Sequence, residues 1–248
     1  MNKKIALVTG GTGGMGTSIC RTLAKEGYLV AAGYSKSGDH DKALKWQVEQ
    51  KKQGFDIMVT YGDISDYNSA KEMTATVEKQ LGPIDILVNN AGITRDTTFR
   101  KMIPTQWVEV INTNLIGVFN VTHQVINGMC ERGYGRIINI SSINGQKGQF
   151  GQTNYSAAKA GLYGFTMALA QEVAKKGVTV NTISPGYVNT PMLADVPTHV
   201  LDGIIANIPI GRLGKPEDIS RMVAFLVHAE SGFLTGANFS ANGGQYMS

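Results

Sequence analysis

Little in this chain speaks for a stapled, secreted or membrane-spanning protein. Only two cysteines occur, Cys20 and Cys130, neither with a Cys or His neighbour at ligand spacing. That excludes a disulfide framework and predicts no metal site. Prolines number only seven, charged residues make up 17% of the chain, and neither is bunched. No linker is therefore visible, and one domain over residues 1–248 is the economical expectation. No apolar run approaches the roughly 18 residues of a membrane span. The run Ile5–Val8 is cut off by Thr9-Gly10, short of the ~7–15 residues of a signal-peptide core. A soluble cytoplasmic protein with no membrane partner is expected. Lys and Arg exceed Asp and Glu only by 23 to 19, a net charge of +4, with no dense basic cluster. Nucleic acid is not an expected partner; the mild positive balance suits an anionic small molecule and a bland surface alike.

What the chain has in excess is glycine, 30 residues of 248, above the usual ~7%. They are scattered singly, as tight connections between strands and helices require. The remaining pattern alternates short apolar runs with longer helical periodicities. Strands are predicted at Ile5–Thr9, Tyr28–Tyr34, Ile57–Tyr61, Ile84–Val88, Arg136–Ser141, Thr179–Ile183 and Ala237–Ser240. Helices are predicted at Gly14–Glu26, Asp39–Gln53, Tyr67–Gln80, within Pro104–Glu131, and at Ala157–Lys175 and Pro216–Val227. Apolar strands without polar alternation, such as Ile84–Val88, suit a parallel sheet covered on both faces. Repeated βα units predict a single doubly wound α/β domain of the Rossmann type, with a mostly parallel seven-stranded sheet. Residues 190–212 break the rhythm and form a candidate lid.

Three groups of residues carry chemistry. Thr9-Gly10-Gly11-Thr12-Gly13-Gly14-Met15-Gly16 follows the first strand and opens the first helix. There a dinucleotide pyrophosphate would meet free helix N–H groups and the positive end of the dipole. Gly10, Thr12, Gly13, Gly14, Met15 and Gly16 are the candidate cofactor residues. After the second strand the chain reads Tyr34-Ser35-Lys36, without the acid that holds an NAD ribose. Ser35 and Lys36 can hold a 2′-phosphate, which favours NADPH; Asp39 and Asp41 nearby keep NADH open. Finally, Tyr155 and Lys159 share a helix face at i and i+4. An ammonium there would lower the phenol pKa and prime it for proton transfer to a carbonyl. Tyr67 and Lys71 repeat that spacing on a predicted surface helix, so spacing alone decides nothing. Tyr155 differs because Ser142 ends a strand upstream, where ligands of parallel sheets gather. Asn114, an amide in mid-helix, is a third candidate, equally readable as a satisfied core asparagine.

Together these residues resemble the short-chain dehydrogenase/reductase family over essentially the whole length. The matching motifs are Thr9-Gly10-x-x-x-Gly14-x-Gly16, Asn89-Asn90-Ala91-Gly92, Asn114, Ser142, Tyr155-x-x-x-Lys159 and Pro185-Gly186. The resemblance implies that Tyr155 is the general acid, Ser142 holds the substrate carbonyl, and Lys159 binds the nicotinamide ribose and tunes the tyrosine. Asn114 is implied to position Lys159 through a water. It further implies cofactor contacts from Gly62, Asp63 and Ile64 at the adenine, Asn90, Ala91 and Gly92 along the groove, and Pro185, Gly186, Tyr187 and Val188 at the nicotinamide. A homotetramer through the two long helices, Pro104–Glu131 and Ala157–Lys175, is also implied.

Within that family, Gly145–Tyr155, Ile93-Thr94-Arg95-Asp96 and Asn242-Gly243-Gly244 are similar to the NADPH-dependent acetoacetyl-CoA reductases of polyhydroxyalkanoate (polyhydroxybutyrate) synthesis. This implies a substrate site from Asp96, Ser142, Gln149, Phe150, Gly151, Gln152 and Tyr187. Two alternatives stand. A 3-oxoacyl-(acyl-carrier-protein) reductase would share the motifs and use Arg95, Arg100 and Lys101 to dock an acidic carrier. An NADP(H)-sensing protein on the same fold would have no use for the proton-transfer residues.

Overall fold

Each apolar run of the sequence becomes a strand, and the central ones are buried on both faces. The computed structural model describes residues 3–35, 40–191 and 197–247. The strands are β1 (Ile5–Val8), β2 (Leu29–Tyr34), β3 (Ile57–Tyr61), β4 (Ile84–Asn89), β5 (Gly135–Ile140), β6 (Val178–Pro185) and β7 (Asn238–Ala241). They form one sheet in the order β3-β2-β1-β4-β5-β6-β7, and every pairing is parallel. The sheet is therefore wholly parallel.

Neighbouring residues of one strand feed opposite layers, the consequence of a two-residue period. Ala6 and Val8 pack with Ile19 and Leu23 of α1 (Gly14–Lys25) and with Ile219, Val223 and Leu226 of α9 (Pro216–Val227). Ile5 and Leu7 pack against Met73 and Val77 of α3 (Tyr67–Leu81), with Val121, Val125 and Met129 of α5 (Gly117–Arg132) in the same layer. Apolar residues on both faces of a strand leave no room for alternation, which is why the runs read as continuous.

The remaining helices are α2 (His40–Lys52), α4 (Pro104–Ile111), α6 (Ile143–Lys147), α7 (Thr153–Val173) and α8 (Thr198–Ala206). A π-helical turn, Asn112–Ile116, joins α4 to α5, so the long helical stretch is one rod with a wide turn inside it. α7 starts ahead of the predicted Ala157 and takes Tyr155 into its first turn. Gly148 and Gly151 just before it have positive φ, +72° and +78°, a conformation that glycine reaches at no steric cost. α6 and α8 are absent from the sequence reading: α6 is five residues long, and no residue of α8 is buried. The candidate lid, 190–212, lies partly outside the described residues, and its described part carries α8. Among the described residues no helix is long and apolar enough to cross a membrane.

Candidate active site

The strand order reverses between β1 and β4, and at such a switch point a crevice opens at the carboxyl ends of the strands. The glycine loop follows β1 into this crevice, and its shape is set by close backbone packing. A Cβ on Gly16 would lie 2.1 Å from the Gly10 carbonyl oxygen, and Gly10 itself has a φ of +61°. Gly13, the N-cap of α1, meets nothing closer than 3.4 Å. No side chain caps α1, and no acid lies in its first turn. Its uncapped N–H groups fit a dinucleotide phosphate, and Thr190 and Pro191 pack close over Gly14 at the same helix end.

The opposite bank is β4 and the loop after it. Thr9 Oγ1 accepts the N–H groups of Asn90 and Ala91 at 3.0 and 3.1 Å. Asn90 Nδ2 donates to the carbonyls of Thr9 and Gly10 at 3.0 and 3.2 Å. Asn90 thus braces the glycine loop, while its buried Oδ1 has no hydrogen-bond partner. Asp63, after β3, accepts the Ser65 N–H and hydroxyl at 3.0 and 2.6 Å, which fixes the turn beside Gly62 and Ile64. Ser35 follows β2 directly, whereas Lys36 and Asp39 lie outside the described residues. On the far side, Gly186 N–H donates to the Ala241 carbonyl at 3.0 Å, and Gly214 N–H donates to the Tyr187 carbonyl at 2.8 Å. Pro185–Val188 therefore leaves β6 on a fixed course.

α7 carries the expected tyrosine–lysine pair. Ser141 Oγ donates to the Lys159 carbonyl at 2.8 Å, and a Cβ on Gly145 would lie 2.9 Å from Lys159 backbone. This close packing of β5, α6 and α7 brings Ser142 against Tyr155. Burial pushes the Tyr155 phenol up to about 12, and the facing Ser142 hydroxyl works against that rise. Lys159 is 4% exposed; its ammonium lies 5.7 Å from the centre of the Tyr155 ring and donates to the Ile140 carbonyl at 2.7 Å. Burial lowers it to about 8. The expected downward pull of lysine on tyrosine is overridden: desolvation governs both groups, and the ammonium is turned to a backbone carbonyl.

Asn114 sits fully buried in the π-helical turn, the kind of local widening that gathers at functional sites. Its Oδ1 accepts Ile93 N–H at 2.8 Å, and its Nδ2 donates to Ile93 carbonyl at 2.9 Å. The side chain thereby holds the loop after β4. It meets Lys159 only around Gly92, where a Cβ would lie 3.1 Å from Asn114 Oδ1 and 3.5 Å from Lys159 Nζ.

The expected acyl-site residues divide. Gln152 Nε2 donates to Asp96 Oδ2 at 2.7 Å, and Gly151 carbonyl accepts Thr97 N–H at 2.9 Å, so the two loops are tied. Gln149 and Tyr187 line a cavity of about 550 Å³ with Lys147, Gln245 and residues of α8. Phe150 is 87% exposed and does not line that cavity. Sequence reasoning gave no role to Asn144 or Asn154, and quoted Thr9 only as part of the glycine motif. Asn154 donates to the carbonyls of Arg95 and Gln106 at 3.3 and 3.1 Å, contacts visible only once the chain is folded. Among the described residues, no three His, Cys, Asp or Glu side chains are placed to hold a metal ion.

Residues 4–200 match the family model described as short chain dehydrogenase. The acetoacetyl-CoA reductase of Cupriavidus necator is 57% identical over 247 residues, covering 100% of both chains. That of Allochromatium vinosum is 57% identical over 244 residues, 98% of this chain and 99% of its own. The 3-oxoacyl-(acyl-carrier-protein) reductase of Haemophilus influenzae is 41% identical over 248 residues, again covering 100% of both chains. With a buried lysine, a tyrosine and a serine gathered at the crevice, and with relatives at this level along its whole length, the chain belongs to the short-chain dehydrogenase family and uses a nicotinamide cofactor.

Proposed function

We propose that this enzyme reduces acetoacetyl-CoA to (R)-3-hydroxybutyryl-CoA with NADPH, as a step of storage-polymer synthesis in the cytoplasm. The observation that carries the reading is the buried Lys159 ammonium 5.7 Å from the Tyr155 ring, with Ser142 facing that tyrosine, in a chain 57% identical to enzymes named for that activity. A dinucleotide held at its phosphates by the glycine loop and at its nicotinamide by Pro185–Val188 would supply a hydride. Ser142 holds the oxygen of the 3-oxo group by a hydrogen bond. Tyr155 delivers its proton to that oxygen as negative charge develops there, the task of a general acid. Lys159, the adjacent buried cation, stabilises the phenolate left behind and donates to the ribose hydroxyls. Asn114 keeps the loop carrying Gly92 in place through Ile93. Ser35 with Lys36 recognises the 2′-phosphate.

Gln149, Gln152 and Tyr187 take the acyl thioester, with α8 along the wall of the cavity that Gln149 and Tyr187 line. The chain assembles as a homotetramer through its long helices. The exposed apolar side chains of Val108, Ile116, Phe119 and Met167 along α4, the π-turn, α5 and α7 support that packing. The carrier-protein reading draws on the 41% identical relative. Against it, Arg95, which would dock the carrier, is already bonded to Glu109 at 2.7 Å.

The test is the rate of NADPH oxidation with acetoacetyl-CoA against acetoacetyl-carrier protein, repeated with NADH. The proposal expects the CoA thioester with NADPH to be turned over best. Preference for the carrier protein, or for NADH, overturns the corresponding half of it.

A further inference from the structure

The turn after β7 brings Gln245 to the cavity that Gln149 and Tyr187 line. Its backbone is tied at several points. Asn242 Oδ1 accepts the Gly244 N–H at 3.0 Å, and Asn242 Nδ2 donates to the Tyr246 carbonyl at 2.9 Å. Gln245 N–H donates to the Asn242 carbonyl at 3.2 Å, and Ile210 N–H, shortly after α8, donates to the Gly243 carbonyl at 3.1 Å. A Cβ on Gly243 would lie 2.8 Å from the side chains of Ile208 and Ile210, so the turn sits close against the segment that follows α8. The backbone is fixed, yet the carboxamide it carries is not used by the fold. Gln245 Oε1 is buried and has no hydrogen-bond partner, an unfavourable state for an acceptor. The last torsion of a glutamine is broad, so rotation about it turns that oxygen, or the NH2 beside it, to a ligand in the cavity. Lys147, the last residue of α6, is the only charged residue lining the cavity among the described residues. No carboxylate among them stands on that wall.

A carboxamide without a partner and a lone cation fit a ligand that carries amides and ends in an anion. The phosphopantetheine arm of an acyl thioester has that chemistry: amides follow the sulfur, and a phosphate follows the amides. We infer that Gln245 pairs with an amide of this arm and that Lys147 meets its phosphate. An amide offers both an N–H and a carbonyl, so the Gln245 carboxamide has a partner in either orientation. The Lys147 ammonium attracts the phosphate at the cavity wall. The inference rests on the reading above in taking the substrate to be an acyl thioester. It does not depend on the choice between CoA and a carrier protein, because both carry the same arm.

The experiment uses the full-length enzyme with NADPH and measures kcat/KM for thioesters of acetoacetate that differ only in the arm. Acetoacetyl-CoA carries amides and phosphate, acetoacetyl-pantetheine carries the amides alone, and the S-ethyl thioester carries neither. Gln245→Met keeps the length of the side chain and removes its hydrogen bonds. It is expected to lower kcat/KM about tenfold for the CoA and pantetheine thioesters, the scale of one hydrogen bond lost from the bound substrate. The S-ethyl thioester should be reduced as by the wild type. Lys147→Met should lower kcat/KM about tenfold for acetoacetyl-CoA alone, the scale of a charge-assisted contact. NADPH affinity, read by fluorescence, should hold in both variants. Losses of equal size on every thioester, the mark of a merely structural role, would overturn the inference. So would wild-type kcat/KM of Gln245→Met with acetoacetyl-pantetheine, or a wild type that reduces the S-ethyl thioester as well as acetoacetyl-CoA. Preference of the wild type for a carrier-protein thioester corrects the substrate reading alone, since the pantetheine comparison is the same for both carriers. No turnover of any thioester would overturn both.

Discussion

Two tyrosine–lysine pairs of identical spacing occupy this molecule, and only one is buried at the carboxyl ends of the strands. Tyr67 and Lys71 begin α3; Tyr67 is 39% exposed, and its hydroxyl bonds His123 at 2.9 Å on the surface. Tyr155 and Lys159 begin α7 at the carboxyl ends of the strands. There Lys159 is buried against Ile140 and burial raises Tyr155 to about 12. A helix offers the i, i+4 geometry to both pairs. What separates them is what covers them: β5 and α6 on one, solvent on the other.

Substitutions made in parallel at the two pairs sharpen this contrast. Lys159→Met should lower kcat/KM by about 10³-fold, within the range of general acid–base catalysis, while Lys71→Met leaves it unchanged in the same NADPH assay. Ser142→Ala should cost about 10²-fold in kcat, the scale of one donor lost from a developing oxyanion, with NADPH affinity retained in a fluorescence titration. The pairs should also differ in stability against pH. Lys159 is lowered from 10.5 to about 8, so between those pH values the unfolded chain holds a proton that the folded one has released. Stability of the wild type relative to Lys159→Met must therefore rise with pH across that window, by roughly 3 kcal/mol at most. Denaturant titrations at about pH 7.5 and 10.5, the two ends of that window, check it; a difference that stays level would mean that Lys159 is not desolvated. The smallest effect belongs to His123→Ala, which removes the partner of Tyr67 and should change turnover less than about twofold, as for a surface substitution remote from the site.

Much of this is legible in the sequence because it rests on local pattern. Ile57–Tyr61 and Pro216–Val227 begin and end where the periodicity places them. The glycine loop, Ser142 and the Tyr155 pair are short motifs whose context is a strand end or a helix start. What escapes the sequence depends on contacts between distant segments. α8 buries no residue and so has no apolar stripe to announce it. Asn144 acquires its partner only when Gln152, held by Asp96, folds onto it. For the pKa of Tyr155 the spacing points the wrong way, because proximity to lysine is visible in it and burial is not. Asn114 is legible as to place but not as to contact, since Ile93 takes both ends of its amide.

The most direct test replaces the two tyrosines side by side. Tyr155→Phe and Tyr67→Phe are each assayed for NADPH oxidation with acetoacetyl-CoA and for NADPH binding on the same sample. The account predicts a loss of about 10³-fold in turnover for Tyr155→Phe, with NADPH bound nearly as before, and near wild-type turnover for Tyr67→Phe. Substantial turnover by Tyr155→Phe would contradict it, because some other group would then be delivering the proton.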